Sequence, residues 1–281
     1  MLSNVRKRDG LTKMMKLRHS KRKLSRKIAR KSGKRLRDKL IISEEERRAL
    51  RLSTKFMRTG HGAERSLLLM KLASLSATKG LDILEIGVFR GGSAQLIIDS
   101  LANLPHSINL FLVDTFSGHP STSVIDGVDG EQRVGQFHDT DFNEVASFLK
   151  SRLRKSKIRA FLVKADAMMI DCAQIPLDNQ LGLVHIDTDL YSPTKKILFE
   201  LADSLAPGGF FLIDDYLGGR TPGLKTAVEE FLTERSDFLF VPGIVSQCIL
   251  VKSSDGRGVH IAKHYSPQTM SFSRTALNEL E

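Results

Sequence analysis

Short apolar segments alternate with amphipathic segments from Leu81 onward, and this alternation limits the fold more than any other feature of the sequence. Strands are predicted at residues 82–86, 108–113, 158–163, 182–186, 210–213, 238–241 and 248–251. Helices are predicted between them at residues 93–101, 143–153, 193–205 and 224–232. Short apolar strands separated by helices are typical of a parallel sheet covered on both faces, and the last two strands predict an antiparallel ending. We therefore expect a doubly wound, seven-stranded, Rossmann-like α/β domain over residues 81–281.

Two segments precede this domain, and they differ in charge from the rest of the chain. Residues 1–40 carry 17 Lys and Arg against two acidic residues, a net charge of +15, whereas the remainder has a net charge of −4. This tail has too little apolar surface to fold alone. It is expected either to be a disordered, solubilising extension or to bind an anionic surface, a membrane or nucleic acid, as an amphipathic helix. Its Arg- and Ser-rich composition also resembles that of transit peptides.

Residues 41–80 are predicted to be a helical segment between the tail and the domain. Ser43 and Glu46 form a capping-box pattern at its start, and residues 64–75 predict a second helix. No apolar run approaches the length of about 18 residues that a membrane-spanning helix needs. The two cysteines form neither a disulfide framework nor a zinc pattern. We expect a cytoplasmic protein, with peripheral attachment to a membrane and assembly into a homo-oligomer left open.

A glycine-rich turn follows the first predicted strand. Residues 85–93 read Glu-Ile-Gly-Val-Phe-Arg-Gly-Gly-Ser, and glycines there let the backbone turn tightly and approach a ligand. The acid Glu85 suits a cationic ligand group better than a pyrophosphate, and S-adenosylmethionine offers an ammonium. Asp114 ends the next strand, where an acid can accept both ribose hydroxyls. The alternative is a glycine-rich turn that only packs a helix against the sheet.

Aspartates follow the fourth and fifth predicted strands. Asp187 and Asp189 come after the fourth strand, and Asp214 and Asp215 end the fifth. If these strands are neighbours, the carboxylates of Asp187, Asp214 and Asp215 meet at one edge and repel one another, a cost that a divalent cation removes. A few oxygen ligands with room for water and substrate suit Mg²⁺. The alternative is that the acids are solvated or cap the following helices.

Several segments together resemble the macrocin O-methyltransferase family. The similarity covers roughly Thr59 to Lys252 in the right order, and the tail has no counterpart in it. The matching segments are residues 85–93, 114–120, 135–145, 185–191, 207–216 and 222–231. Members of that family are class I methyltransferases that use S-adenosylmethionine and Mg²⁺ to methylate sugar hydroxyls on macrolide and aminocoumarin antibiotics. The resemblance implies the same fold, and a sugar or glycosylated small molecule as acceptor.

The resemblance also assigns roles to individual residues. Asp187 matches the family's candidate proton acceptor. The amino-acid end of S-adenosylmethionine would be held by Glu85, Gly87, Gly91 and Ser93. The ribose would be bound by Asp114 and the adenine would lie near Asp166. The magnesium ligands would be Asp187, Asp214 and Asp215.

The sequence departs from the family pattern at two places, and from related catechol enzymes at a third. Residues 117–120 read Ser-Gly-His-Pro where Glu-Gly-Leu-Pro is usual, and residues 164–168 lack the usual Lys-Asp-Thr-Leu-Pro. Both segments are expected near cofactor or acceptor, so the acceptor is not identified. Leu190 stands where related catechol enzymes have a lysine, so a lysine base is not supported. His119 and His138 lie in loops near the expected acceptor mouth and are candidates for a catalytic role.

Two other classes of function remain open. An RNA methyltransferase could use the basic tail to bind phosphates, although the sequence lacks the Asn-Pro-Pro-Tyr or Asp-Pro-Pro-Tyr of base-modifying enzymes after the fourth strand. An acidic site would also repel a phosphate backbone. A catalytically silent module anchored through its tail is the second, and the intact acids argue against it.

Overall fold

The computed structural model describes residues 62–254, apart from residues 155 and 178. The helices are α1 (Ala63–Thr78), α2 (Gly92–Ser100), α3 (Phe142–Leu153), α4 (Tyr191–Leu201) and α5 (Pro222–Glu234). The strands are β1 (Asp82–Ile86), β2 (Ile108–Asp114), β3 (Ile158–Lys164), β4 (Leu181–Ile186), β5 (Leu205–Ile213), β6 (Phe238–Pro242) and β7 (Cys248–Lys252). Single helical turns at Ile125–Asp129, Ala167–Met169 and Cys172–Gln174 interrupt the loops.

All seven strands form one sheet in the order β3-β2-β1-β4-β5-β7-β6. The pairs from β3 to β5 are parallel, and β7 runs antiparallel to both β5 and β6. The predicted fold class, the adjacency of β4 and β5, and the antiparallel ending are therefore confirmed. Because strand order reverses between β1 and β4, the loops at their carboxyl ends diverge to opposite faces of the sheet and leave a crevice between them.

Helices cover both faces of the sheet. Successive side chains of a strand point to opposite faces, so Ile83 of β1 packs in the cluster that includes Leu69, Ile97 and Leu149 from α1, α2 and α3. Leu84, the next residue, packs in the other cluster, where α4 and α5 contribute residues such as Ile197, Leu198, Leu224 and Phe231. Burial on both faces explains why these strands are apolar throughout instead of alternating.

The prediction for residues 193–205 was wrong at its carboxyl end. Helix α4 ends at Leu201, and Leu205 instead begins β5, five residues before the predicted strand. Leu205 pairs with Leu181 of β4 and is fully buried, so tertiary pairing determines its conformation. Gly208 has φ +70°, outside the helical region, and separates the two halves of the long strand.

Some sequence predictions fall outside the described residues. The basic tail at residues 1–40, its binding to an anionic surface and the Ser43–Glu46 capping box all lie there and stay predictions. The predicted helix at residues 64–75 lies within the described part of the chain and is present as α1, extended at both ends. None of the described helices combines the length and the apolar character that crossing a bilayer requires.

Candidate active site

A cavity of about 230 Å³ lies at the carboxyl ends of the parallel strands. Its walls come from the loops after β1, β2, β3 and β4, from Asp215 after β5, and from Arg65 of α1. Five of the predicted site residues line it, namely Gly87, Asp114, Asp166, Asp187 and Asp215. The strand order places these residues together although they are spread over about 130 positions of the sequence.

The glycine-rich loop crosses the end of β4 at Gly87. This residue has φ +97°, and a Cβ atom added there would lie 2.1 Å from the backbone carbonyl oxygen of Asp187. The Asp187 amide in turn donates to the carbonyl of Ile86 over 2.9 Å. Only glycine fits this crossing, because the backbone of the glycine-rich loop lies against the backbone of Asp187.

Replacing Gly87 with alanine tests this contact, and Gly80 provides a matched control. Gly80 also has a positive φ, +72°, but its added Cβ would meet no atom within 4 Å. We expect Gly80→Ala to lower the free energy of unfolding by about 1 kcal/mol, the cost of the left-handed backbone. Gly87→Ala should cost about 2 kcal/mol more, because the collision with Asp187 adds strain. Urea unfolding of both variants measures the difference, and equal losses would contradict the close crossing.

Asp114 connects the end of β2 to the glycine-rich loop. Its Oδ2 accepts hydrogen bonds from the amides of Val88 and Phe89, each over 2.8 Å, and its Oδ1 accepts from the Phe116 amide over 2.7 Å. The carboxylate thereby holds the loop in place. Its contact with a ribose stays a prediction. Because Oδ2 already accepts from two amides, the remaining acceptor capacity lies mainly on Oδ1.

Asp166 lies beside Asp114 on the same wall. The Ala165 amide donates to the Asp114 carbonyl over 2.9 Å, which fixes the loop after β3 against the end of β2. The Asp166 carboxylate accepts from the Met168 amide over 2.9 Å and caps the helical turn that follows. Asp166 therefore lines the cavity beside Asp114, and its position near the adenine stays a prediction.

Glu85 does not line the cavity. It is fully buried, because the register of β1 and β4 sets it opposite His185, and its Oε1 lies 2.9 Å from His185 Nδ1. Its Oε2 has no hydrogen-bond partner among the described residues. Gly91 and Ser93, at the start of α2, also lie off the cavity wall. The assignment of these three residues to the amino-acid end of the donor stays a prediction.

The predicted metal ligands come together at the ends of β4 and β5. Oxygens of Asp187, Asp189 and Asp215 lie within 4.8 Å of one another, and Asp187 and Asp214 form a second such group with His185. Asp214 is fully buried beneath the cavity wall. Asp189 and Asp215 have φ values of 58° and 51°, which are uncommon for non-glycine residues and tend to cluster at functional sites.

The crowding of carboxyl groups in this cluster disfavours their ionised forms. Burial and the neighbouring charges of Asp187, Asp215 and Asp214 raise the pKa of Asp189 well above its usual range. Like charges close together disfavour ionisation, and a cation at the same place reverses that effect. The arrangement therefore favours occupancy by positive charge.

Arg65, which is not among the site residues predicted from the sequence, contacts this cluster. Its Nη1 donates to Asp215 Oδ1 over 2.7 Å and lies 3.4 Å from Asp214 Oδ2, while the hydroxyl of Ser246 donates to the same Asp215 oxygen over 2.8 Å. Burial acts to lower the pKa of Arg65, but Asp214, Asp215 and Asp187 outweigh it and raise the pKa above its usual value.

A signal for Arg65 exists in the helical periodicity. On α1 it falls in line with Leu69, Leu72 and Ser76, at helical spacings of four, three and four residues, and all three are buried. A basic residue on the buried stripe of a helix needs a buried acidic partner. The sequence shows that such a partner is required, although it does not show which acid provides it.

The candidate histidines differ in position. His119 lines the cavity and packs edge-on against Phe137, with ring centroids 5.3 Å apart. His138 is exposed, its Nδ1 lies 2.9 Å from the carbonyl of Gly135, and it is absent from the cavity wall. Tyr191 is directed to the surface, where its hydroxyl donates to Glu230 over 2.7 Å.

Known proteins resemble the chain in sequence and in fold. Demethyldecarbamoylnovobiocin O-methyltransferase of Streptomyces niveus is 26% identical over 157 residues, which are 53% of this chain and 57% of that protein. The 8-demethyl-8-(2,3-dimethoxy-alpha-L-rhamnosyl)-tetracenomycin-C 4'-O-methyltransferase of Streptomyces olivaceus is 29% identical over 142 residues, 48% and 52% of the two chains. The chain thus matches little more than half the length of these relatives.

The chain also shares its fold with a solved structure and matches a family sequence model. The structure of the O-methyltransferase NovP aligns with a TM-score of 0.60 and 21% identity, covering 70% of this chain and 82% of that one, which shows a shared fold. The sequence model described as Macrocin-O-methyltransferase (TylF) matches residues 2–237. This range begins earlier than the resemblance expected from Thr59 and includes the basic tail. Because it spans most of the sequence, the chain belongs to the macrocin-O-methyltransferase (TylF) family.

Proposed function

We propose that this protein transfers a methyl group from S-adenosylmethionine to a hydroxyl group of a sugar or glycosylated small molecule, with the help of Mg²⁺. The observation that carries the proposal is one cavity in which the glycine-rich loop and Asp114 face the carboxylates of Asp187, Asp189 and Asp215. Family membership supports methyl transfer. A relative named for 4'-O-methylation of a rhamnosyl-bearing compound supports a sugar acceptor.

The reaction needs positioning and one proton acceptor. A lone pair of the acceptor oxygen attacks the methyl carbon, the bond from carbon to sulfur breaks, and S-adenosylhomocysteine leaves. The cavity supplies rate mainly by holding donor and acceptor in line. The hydroxyl proton passes to a carboxylate, for which we propose Asp187, because it belongs to the acidic cluster and its backbone is bonded to the start of the glycine-rich loop.

The acidic cluster fits a magnesium ion in its chemistry. Asp187, Asp189 and Asp215 offer only oxygen ligands within 4.8 Å of one another, and hard divalent cations prefer such ligands. When bound, Mg²⁺ would lower the pKa of an acceptor hydroxyl. We propose Asp187 and Asp215 as ligands from the cavity wall, with Asp189 as a further one. Asp214, which is buried and contacts Arg65, would be a further ligand.

Binding of the donor can be measured without knowing the acceptor. We expect S-adenosylmethionine and S-adenosylhomocysteine to bind with micromolar dissociation constants, in the usual range for enzyme ligands. Asp114→Asn should weaken binding at least about tenfold, because the amide keeps one acceptor oxygen where the carboxylate has two. Asp171→Asn is the control, since the Asp171 carboxylate also accepts from the amide two residues further on, that of Ala173, but lies outside the cavity wall. Titration calorimetry that detects neither ligand would refute the donor assignment.

The acceptor class requires a direct screen. Labelled donor should be incubated with glycosides, free sugars, catechols and RNA, in Mg²⁺ and in excess chelator. The proposal expects label in a glycoside and its loss with chelator. Label in RNA alone would favour the RNA methyltransferase alternative, and label in none of them despite donor binding would favour the silent module.

A further inference from the structure

His119 is held rigidly in the cavity wall. Its backbone amide donates to the carbonyl of Gln136 over 3.0 Å, and its carbonyl accepts from the Gly135 amide over 2.9 Å. The preceding Gly118 has φ +82°, and an added Cβ would lie 2.4 Å from the Gln136 carbonyl oxygen. The two loop segments are therefore packed backbone to backbone, and the imidazole projects from a fixed position.

A buried glutamine determines which nitrogen of His119 carries the proton. The side-chain nitrogen of Gln132, a residue only 5% exposed, donates to the carbonyl of Arg220 over 2.8 Å. A carbonyl can only accept, so the Gln132 oxygen must be the atom that faces His119 Nε2, 3.3 Å away. Nε2 therefore bears the hydrogen, and in the neutral ring Nδ1 has a free lone pair. Within residues 62–254 as described, no group donates to Nδ1.

The surroundings of His119 favour its neutral form. Burial lowers the pKa of His119 below its usual value, and this effect exceeds the opposing influence of the Gln132 hydrogen bond and of the charges on Asp126 and Asp114. Asp126 and Asp114 are the charged groups that act on the ring. At neutral pH the imidazole accordingly presents an acceptor nitrogen in a wall that also includes the aromatic ring of Phe137.

We propose that His119 binds a hydroxyl group of the acceptor substrate through Nδ1. The inference rests on the proposed O-methyl transfer and names a residue that selects its substrate. Binding pockets combine apolar surface with a few fixed polar groups that orient the ligand, and Phe137 and His119 are such a pair. The ribose of the donor is the other source of hydroxyls, and Asp114, on the same cavity wall, is the predicted acceptor for them. The test therefore separates acceptor from donor.

Two substitutions divide the roles of the ring nitrogens. His119→Gln retains an N–H that can reach the Gln132 oxygen and removes the acceptor at Nδ1. His119→Asn retains a polar atom near Nδ1 and removes the contact with Gln132. With the best glycoside from the screen, we expect His119→Gln to raise the acceptor KM about tenfold, equivalent to about 1.4 kcal/mol. We expect His119→Asn to raise it less than about threefold, and neither to change the dissociation constant of S-adenosylhomocysteine.

The opposite order, with His119→Asn the weaker variant, would show that the ring only supports the loop and would overturn the inference. A change in donor binding without a change in acceptor KM would overturn it as well. If no glycoside is turned over by the wild-type protein, the proposed function fails first. If turnover is found but His119→Gln is as active as wild type, only the present inference fails.

The protonation state gives a second readout, and its NMR part needs no acceptor. Nitrogen-15 NMR should show the tautomer protonated at Nε2, with a titration midpoint below that of a free histidine. Protonation turns Nδ1 into a donor, so kcat/KM for the acceptor should fall as pH drops through this midpoint. The His119→Gln variant should not show this fall at low pH. A ring protonated at Nδ1 would contradict the inference outright.

Discussion

Replacing Arg65 with glutamine should lower the free energy of unfolding by about 3 kcal/mol in the presence of a chelator. The guanidinium lies between Asp215 and the fully buried Asp214, and its own side chain is only 12% exposed. Removing it leaves the Asp214 carboxylate buried without that cation, which is far more costly than losing an exposed ion pair. A divalent cation should restore part of the loss, because it supplies the missing positive charge to the same carboxylates.

The measurement is chemical unfolding of both proteins, in chelator and in millimolar Mg²⁺. Lys225→Gln is the control, since Lys225 and Glu229 form an exposed pair, 3.6 Å apart, on the surface of α5, and its loss should cost less than about 0.5 kcal/mol. Adding Asp214→Asn to Arg65→Gln should recover stability, because position 214 then carries no buried charge. An unchanged midpoint for Arg65→Gln would show that the contact contributes nothing.

How far the sequence predicts this site depends on whether a role is local. Gly87 and Asp114 could be identified because a positive φ and a strand-end carboxylate are properties of single positions in a recognisable pattern. Asp187 and Asp215 could be identified because the order of strands follows from the alternation of segments. Each of these four residues lines the cavity.

What the sequence did not predict depends on register and on distant contacts. Glu85 and His185 face each other only because of the register between β1 and β4, and no pattern within either strand reveals that pairing. Arg65 contacts Asp215 across 150 positions of the chain. The Leu205 end of the predicted helix was wrong for the same reason, since pairing with Leu181 overrides its helical preference.

The two halves of the site are joined through backbone contacts, so they should respond together to change. Asp114 holds the glycine-rich loop by two amides, and Gly87 in that loop touches the carbonyl of Asp187. Positive φ values at Phe89, Asp189 and Asp215 persist because such contacts over-determine the backbone. A preorganised cavity of this kind loses little entropy when donor and acceptor bind.

Asp187 joins the two halves of the site and is also the proposed proton acceptor. It follows β4, contacts the glycine-rich loop through its backbone and shares both carboxylate groupings at the end of the sheet. Asp187→Asn keeps the size of the side chain and removes its charge and its ability to take a proton. We expect kcat on the best acceptor to fall about a thousandfold, within the range that general base catalysis supplies. Glu229→Gln, an exposed acid on α5, should leave kcat unchanged.

Donor binding should separate this role from a structural one. Asp187→Asn leaves the backbone contact with Gly87 intact, so the dissociation constant of S-adenosylhomocysteine should change less than about threefold, a difference below 1 kcal/mol. The affinity for Mg²⁺ should fall as well, because one of the proposed ligands has lost its charge. Near wild-type turnover by Asp187→Asn would remove it as proton acceptor, since an amide cannot take the proton. Wild-type activity that persists in excess chelator would remove Mg²⁺ from the mechanism, and the carboxylates would then act on the acceptor with Arg65 as a cationic neighbour.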